Sequence, residues 1–163
     1  RLHNKEVGGG AILDLGCYPV SISILIASLV TNLDVSKTKV LNKKVQIGST
    51  GVDVDAYAEL NFENGFKSII NTSFKENLGK STKIIGSEGE LVLNDGWHGT
   101  PSLINITGKI NKNIQIDSKQ NVYTYQIEEV SKCIIENKKQ PTFPGVTSRE
   151  TLENMRILDD WLN

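Results

Sequence analysis

Histidine and cysteine are scarce in this chain, with two of each among its 163 residues. His3 and His98 stand far apart, without the spacing of a zinc site, so no metal centre is expected. Cys17 and Cys133 form no CxxC pair and are expected to be free thiols in a reducing compartment rather than a disulfide. An excess of charge is also missing. Eighteen basic residues face nineteen acidic ones for a net charge of −1, which argues against nucleic acid or a membrane surface as a partner. The longest apolar run, Pro19 to Val30, is broken by Ser21, Ser23 and Ser28 and falls short of the roughly 20 residues a bilayer requires. No secretory leader opens the chain, and the default expectation is a cytoplasmic protein. No internal repeat, low-complexity linker or strand followed by GxGxxG is found, so no dinucleotide-binding unit is expected in these residues. An initiator Met is absent too: the chain opens at Arg1-Leu2-His3, and it is expected to be a piece of something longer.

What remains is an ordinary globular composition, 38% apolar and 23% charged, of a length that suits one domain over residues 1–163. Val52, Val54, Ala56, Ala58, Leu60 and Phe62 alternate with Asp53, Asp55, Tyr57, Glu59 and Asn61, the pattern of a half-buried antiparallel strand. The return strand runs from Phe66 to Phe74, and its register decides the turn. A three-residue loop pairs Phe62 with Phe66, Leu60 with Ser68 and Ala58 with Ile70, keeps the apolar sets together, and gives Gly65 a left-handed position. A second hairpin is expected over Thr82–Asp95, turning at Gly86-Ser87-Glu88-Gly89. Further strands are expected over Lys39–Ile47, Ser102–Thr107 and Asn113–Ile116.

The period then changes. Tyr123, Ile127, Val130 and Ile134 share one helical face, and Thr147-Ser148-Arg149-Glu150 is a capping-box pattern opening a last helix with Leu152, Met155, Leu158 and Leu162 on one stripe. Between Gly10 and Val30, periodicity alone leaves strand and helix both open; length and Pro19 in a first turn favour helix. Helix, six or seven strands, then two helices indicate an α+β fold: an open, mainly antiparallel sheet with helices on one face.

The chemistry-bearing stretch is Gly8-Gly9-Gly10-Ala11-Ile12-Leu13-Asp14-Leu15-Gly16-Cys17-Tyr18. Consecutive glycines allow close backbone approach. Asp14 and Tyr18 are four residues apart and share one face of a helix. A carboxylate beside a phenol is a plausible proton-handling pair, although a phenol needs a neighbouring cation to exchange protons near neutrality. The bland alternative is a glycine-rich turn, one surface Asp and a Tyr packed at an edge. Gly8–Gly10 is no phosphate loop, because no Lys-Ser/Thr follows. Trp97-His98 could wall a binding site but reads as packing or surface. Asp53 and Asp55 read as solvating a strand's outer face, and Lys132 and Lys138–Lys139 as a solvated helix end.

The opening RLHNKEVGGGAILDLGCY resembles the start of the second domain in the Gfo/Idh/MocA oxidoreductases, especially the glucose–fructose oxidoreductase, xylose dehydrogenase and dihydrodiol dehydrogenase branch. The resemblance continues through the Phe-Glu-Asn-Gly turn at Phe62–Gly65, the Ile-Gly-Ser-Glu-Gly-Glu-Leu hairpin from Ile85, and Asn154-Met155-Arg156-Ile157-Leu158-Asp159. It implies the carboxy-terminal α+β domain of a two-domain enzyme whose Rossmann domain, absent from this chain, binds NAD or NADP. It implies Tyr18 as proton donor or acceptor, and Asp14 orienting or binding a sugar, polyol or diol. It also implies Arg1 near nicotinamide and substrate, and a Lys of a Glu-Lys-Pro motif supplied by the other half. Members similar to inositol dehydrogenase carry His where this chain has Tyr18. No cofactor-binding residue is assigned here, and the chain alone is expected to be inactive. The sheet commonly forms a dimer interface in the family, and Ala56, Ala58 and Ile70 on one face with Tyr57 and Ile69 on the other leave neither face wholly polar; a homodimer through the open face is expected. The rival expectation is a non-catalytic dimerising or interaction domain derived from the same family.

Overall fold

The computed structural model describes residues 1–30, 34–63, 65–96 and 102–163. Four α-helices, α1 (Ala11–Leu15), α2 (Cys17–Val30), α3 (Val122–Ile135) and α4 (Ser148–Leu162), accompany seven strands: β1 (Lys39–Ile47), β2 (Asp53–Asn61), β3 (Lys67–Ser73), β4 (Thr82–Gly86), β5 (Gly89–Leu93), β6 (Ser102–Gly108) and β7 (Lys112–Ile116). The α+β class and the antiparallel pairing follow the sequence. The strands, however, are divided between two sheets, β1-β2-β3 and β4-β5-β6-β7. The division falls after β3, where the Ser73 hydroxyl accepts the backbone N–H groups of Lys75 and Glu76 at 3.0 Å each and turns the chain out of the ladder. The residues accordingly form two compact units, 1–78 with 143–163, and 79–142.

In the first unit, α1, α2 and α4 pack on one face of β1–β3. The β2–β3 hairpin has the register expected of a three-residue loop: Leu60 lies opposite Ser68 and Ala58 opposite Ile70. The Phe62 amide donates to the Phe66 carbonyl at 2.9 Å, and Gly65 is left-handed at φ 82°. Ala56, Ala58, Leu60, Phe62 and Ile70 are buried with Ile12, Val20 and Ile24 of the helices. α4 opens with the expected capping box, Thr147 and Glu150 satisfying each other's backbone. Its buried stripe only partly matches the one expected: Leu158 is buried and Leu162 packs against the core. Asn154, Ile157, Leu158 and Trp161 face the core, while Leu152 and Met155 are exposed. The spacing 154, 157, 158, 161 is regular for a helix, but a polar residue at its head hides it in the sequence.

Three side-chain links tie these helices to their surroundings. Asn154 Nδ2 donates to the Cys17 carbonyl (3.0 Å) and to Ser21 Oγ (2.8 Å), joining α4 to α2. The hydroxyls of Ser23 and Ser68 share a 2.7 Å hydrogen bond, joining α2 to β3. Arg156 Nη2 donates to the Thr38 carbonyl at 3.1 Å, joining α4 to the start of β1. No single helix among the described residues is long and apolar enough to cross a membrane, and the bent α1–α2 pair buries Ile12, Val20, Ile24 and Ala27 in the core.

In the second unit, β4 and β5 form the expected hairpin, Gly86 opposite Gly89 across Ser87-Glu88, and β5, β6 and β7 continue as a meander. Asn121 caps α3, its side chain accepting the Tyr123 amide at 2.9 Å. Tyr123, Ile127, Val130 and Ile134 share a face as the spacing requires, but that face is exposed. Glu129 accepts the Thr142 amide at 2.7 Å, which holds its carboxyl below the usual range. Cys17 and Cys133 are both free thiols.

Candidate active site

The segment before α1 doubles back on itself. The Gly9 amide donates to the Asn4 carbonyl and the Gly10 amide to the Leu2 carbonyl, both at 2.9 Å. A Cβ on Gly9 would meet those same two carbonyl oxygens at 2.7 and 2.6 Å, closer than any side chain permits. The glycines thus return Arg1 to the flank of α1. There Arg1 Nη2 donates to Asp14 Oδ1 at 2.7 Å. Arg1 and Asp14, expected from resemblance to share the substrate site, are in contact.

α1 and α2 meet at Gly16 with a bend of 41° between their flanking helical segments. Gly16 keeps right-handed helical angles and donates its amide to the Ile12 carbonyl at 2.8 Å. Its lack of a side chain is required by packing: a Cβ would collide with the Ile12 carbonyl and approach Leu158 Cδ2 at 2.9 Å and Trp161 Cζ3 at 3.1 Å. One continuous helix from Gly10 was expected. The close seat of the joint on α4 divides it in two. Asp14 lies on α1 with its side chain 22% exposed, and Tyr18 follows in the first turn of α2, 51% exposed. Pro19, next in that turn, is where its missing N–H does no harm.

Cys17 lies between them. Its thiol is pushed above its ordinary range, mainly by burial and in smaller part by the negative charge of Asp14. Its burial disfavours the thiolate, the form in which a cysteine acts as a nucleophile. Among the described residues no cluster of three or more His, Cys, Asp or Glu side chains is placed to hold a metal ion. Trp97 and His98 lie outside the described residues.

The reading of Asp53 is overturned. Expected to solvate an outer face beside Asp55, it is only 2% exposed. The cause is a β-bulge. Gln46 lies opposite Asp55 and its neighbour Ile47 opposite Asp53, so Val54 is an extra residue and Asp53 falls out of phase with Asp55. Its Oδ2 accepts the Ile12 amide at 2.7 Å. A bulge leaves no mark on an alternating pattern, which is why the sequence conceals it. Asn154 was missed as a contributor for the reason given above.

Chemically, the arrangement offers an ion-paired carboxylate and guanidinium, able to accept from and donate to hydroxyl groups, and, four residues beyond Asp14 in the chain, an accessible phenol. The amide at the start of α1, which would face a phosphate, is taken by the Asp53 carboxyl group.

Comparison with known proteins shows the family and the fold. Residues 1–92 match the family model described as the GFO/IDH/MocA C-terminal domain. A trans-1,2-dihydrobenzene-1,2-diol dehydrogenase of Xenopus tropicalis is 24% identical over 99% of the chain and 48% of its own length. The Xenopus laevis enzyme of the same name is 23% identical over the same shares. Among solved structures, the aldose-aldose oxidoreductase of Caulobacter crescentus superposes with a TM-score of 0.74 at 16% identity, covering 97% of this chain and 46% of that one. A 3-ketoreductase from Actinomadura kijaniata, crystallised with NADP and TDP-benzene, superposes with a TM-score of 0.76 at 16% identity over the same shares. The chain spans about half the length of the curated relatives it matches.

Cys17 reports on this geometry. In a Cys133→Ser background, the pH midpoint for alkylation of Cys17 should lie above that of an unperturbed thiol. Asp14→Asn should move the midpoint down, because the carboxylate that disfavours the thiolate is gone. A midpoint unmoved by Asp14→Asn would show that Asp14 is not beside the thiol.

Proposed function

The chain belongs to the GFO/IDH/MocA family, matching its C-terminal domain, and from that premise we propose that it forms the substrate side of an NAD- or NADP-dependent oxidoreductase acting on the hydroxyl of a sugar, polyol or diol. The observation that carries the reading is the 2.7 Å Arg1–Asp14 pair with the exposed phenol of Tyr18 in the next helical turn. Oxidising a secondary alcohol to a carbonyl removes a hydride from carbon and a proton from oxygen. A bound nicotinamide would supply the hydride acceptor, or the donor in the reverse direction, and this chain's residues would handle the proton. The amide of Ile12 at the start of α1 is held by Asp53, and the family resemblance assigns nucleotide binding to a Rossmann half.

Tyr18 is the group that takes the hydroxyl proton or returns it. Asp14 accepts a hydrogen bond from a substrate hydroxyl, and Arg1 holds that carboxylate in place while offering donors of its own. The family resemblance supplies the cation that makes a phenol useful near neutrality, a lysine of the nucleotide-binding half. The two dihydrodiol dehydrogenases support a diol substrate by their name, the aldose-aldose oxidoreductase a sugar by its own, and the 3-ketoreductase, crystallised with NADP, supports the cofactor class.

The protein also acts as a homodimer through the open face of β1–β3. Leu41 and Ile69, both opposite Glu59, are exposed there. The Tyr57 hydroxyl donates to Glu59 at 2.7 Å, and the Lys44 ammonium lies 5.7 Å from the Tyr57 ring centroid, giving a face of apolar residues set among ordered polar ones. Light scattering at tens of micromolar should give twice the 18.0 kDa chain mass for the chain alone, and a monomer mass would refute this part of the reading.

In the full-length protein, Tyr18→Phe should keep the fold and lower kcat by about 10²- to 10⁴-fold, the usual share of general acid–base catalysis, with cofactor KM little changed. Asp14→Asn should lower turnover with more of its effect on substrate KM, and the two changes should be non-additive. A Tyr18→Phe enzyme within about twofold of wild type in rate would dismiss the assignment in favour of a non-catalytic dimerising domain.

A further inference from the structure

We propose that Asp53 is a positioning residue for the substrate site, holding the segment that carries Asp14 and Tyr18 at a set place against the sheet. The proposal deepens the function proposed above and rests on it.

α1 has five residues and no cap of its own, because its N-cap residue is Gly10, which has no side chain to accept a hydrogen bond. So short a helix does not persist unaided. Its cap comes instead from a strand 41 residues away in sequence: Asp53 Oδ2 accepts the Ile12 amide at 2.7 Å, fully out of solvent. The two partners are shaped for each other. A Cβ on residue 10 would collide with Asp53 Oδ1, and residue 10 has φ 127°, where side chains are strained. The bulge at Val54 is what turns Asp53 inward.

A Ser or Asp at position 10 would cap the helix locally and stabilise it as well. Such a cap would leave the helix free to shift over the sheet. A cap projecting from β2 fixes the helix start relative to the strand. At the other end, Gly16 is pressed against Leu158 and Trp161 of α4, and Asn154 holds the Cys17 carbonyl. α1 is therefore clamped at both ends, with Asp14 between the clamps and Tyr18 just beyond the second. Asp53 touches neither substrate nor cofactor in this scheme. It acts through Ile12 and the helix.

The test compares Asp53→Ala, Asp53→Asn and a control, Ile70→Ala, in the full-length protein. Ile70→Ala empties a buried position on β3 and lowers stability while leaving the Asp53 carboxyl group, and so the cap's acceptor, in place. Asp53→Ala should lower kcat by about 10- to 100-fold, as small misplacements of reacting groups do, with cofactor KM within about twofold. Asp53→Asn should recover part of that loss, since its side-chain oxygen still accepts the Ile12 amide. Ile70→Ala, at a matched drop in melting temperature, should keep kcat near wild type. Asp53→Ala with kcat and substrate KM no more altered than in Ile70→Ala would overturn the proposal, and the same comparison made on Asp53→Asn decides it if the alanine variant does not fold. A wild-type protein without dehydrogenase activity would instead refute the proposed function. The rate of Cys17 alkylation, in a Cys133→Ser background, then reads the clamp directly: it should rise in Asp53→Ala but not in Ile70→Ala, and an unchanged rate overturns the clamp itself.

Discussion

The carboxyl group of Asp53, buried against Gly10 and the Ile12 amide, is the contact on which the rest of the candidate site depends. Each side of it is unfavourable alone. A carboxyl group removed from water destabilises the fold unless it is hydrogen-bonded, and a helix of five residues gains too few internal bonds to offset the entropy of ordering it. Together they convert a glycine-rich return into a fixed start for α1. Once α1 is fixed, the backbone bonds from Gly9 and Gly10 place Arg1 on its flank, and the Arg1–Asp14 pair forms on a surface whose orientation is inherited from β2. That exposed pair contributes little stability of its own. Its value lies in orientation.

The same dependence runs through the core. β2 carries Asp53 at one end and Ala56, Ala58, Leu60 and Phe62 beyond it, all buried beneath the helices. The register that brings Leu60 opposite Ser68 also brings Ser68 to Ser23 of α2. A slip of one residue in this hairpin would turn its whole apolar set outward and move the cap away from α1. Packing of the sheet and placement of the site are one constraint, a design in which functional groups sit on rigid elements rather than on loops.

Much of the fold was legible because it is written in local chemistry. The alternation expected from Val52 to Phe62 holds over Ala56–Phe62, and the Gly65 turn, the Gly86–Gly89 turn and the Thr147–Glu150 capping box, each specified within a few residues, are found where expected. What escaped has a common physical character. The Val54 bulge changes the phase of a strand without changing its pattern. The break at Gly16 arises from contact with Leu158 and Trp161, more than 140 residues downstream. Asn154 looks like a surface residue until Cys17 and Ser21 are brought to it. The division of the strands into two sheets follows a turn closed by the Ser73 hydroxyl, which no local pattern marks. Of the candidate site, Arg1, Asp14 and Tyr18 came from a motif; the residue that seats them was dismissed, since nothing local marks a carboxyl group as buried.

Hydrogen exchange at the Ile12 amide tests the account most directly, because that one donor is what Asp53 accepts. In the wild-type protein it should exchange as slowly as the paired amides of Leu60 and Ile70 in the β2–β3 hairpin. In Asp53→Ala its exchange should quicken by about ten- to a hundredfold, the equivalent of the roughly 1–3 kcal/mol at stake when a buried donor loses its acceptor, while Leu60 and Ile70 keep their protection. An Ile12 amide that exchanges at the same rate with and without the Asp53 carboxyl group, or one that quickens only in step with the whole hairpin, would contradict it.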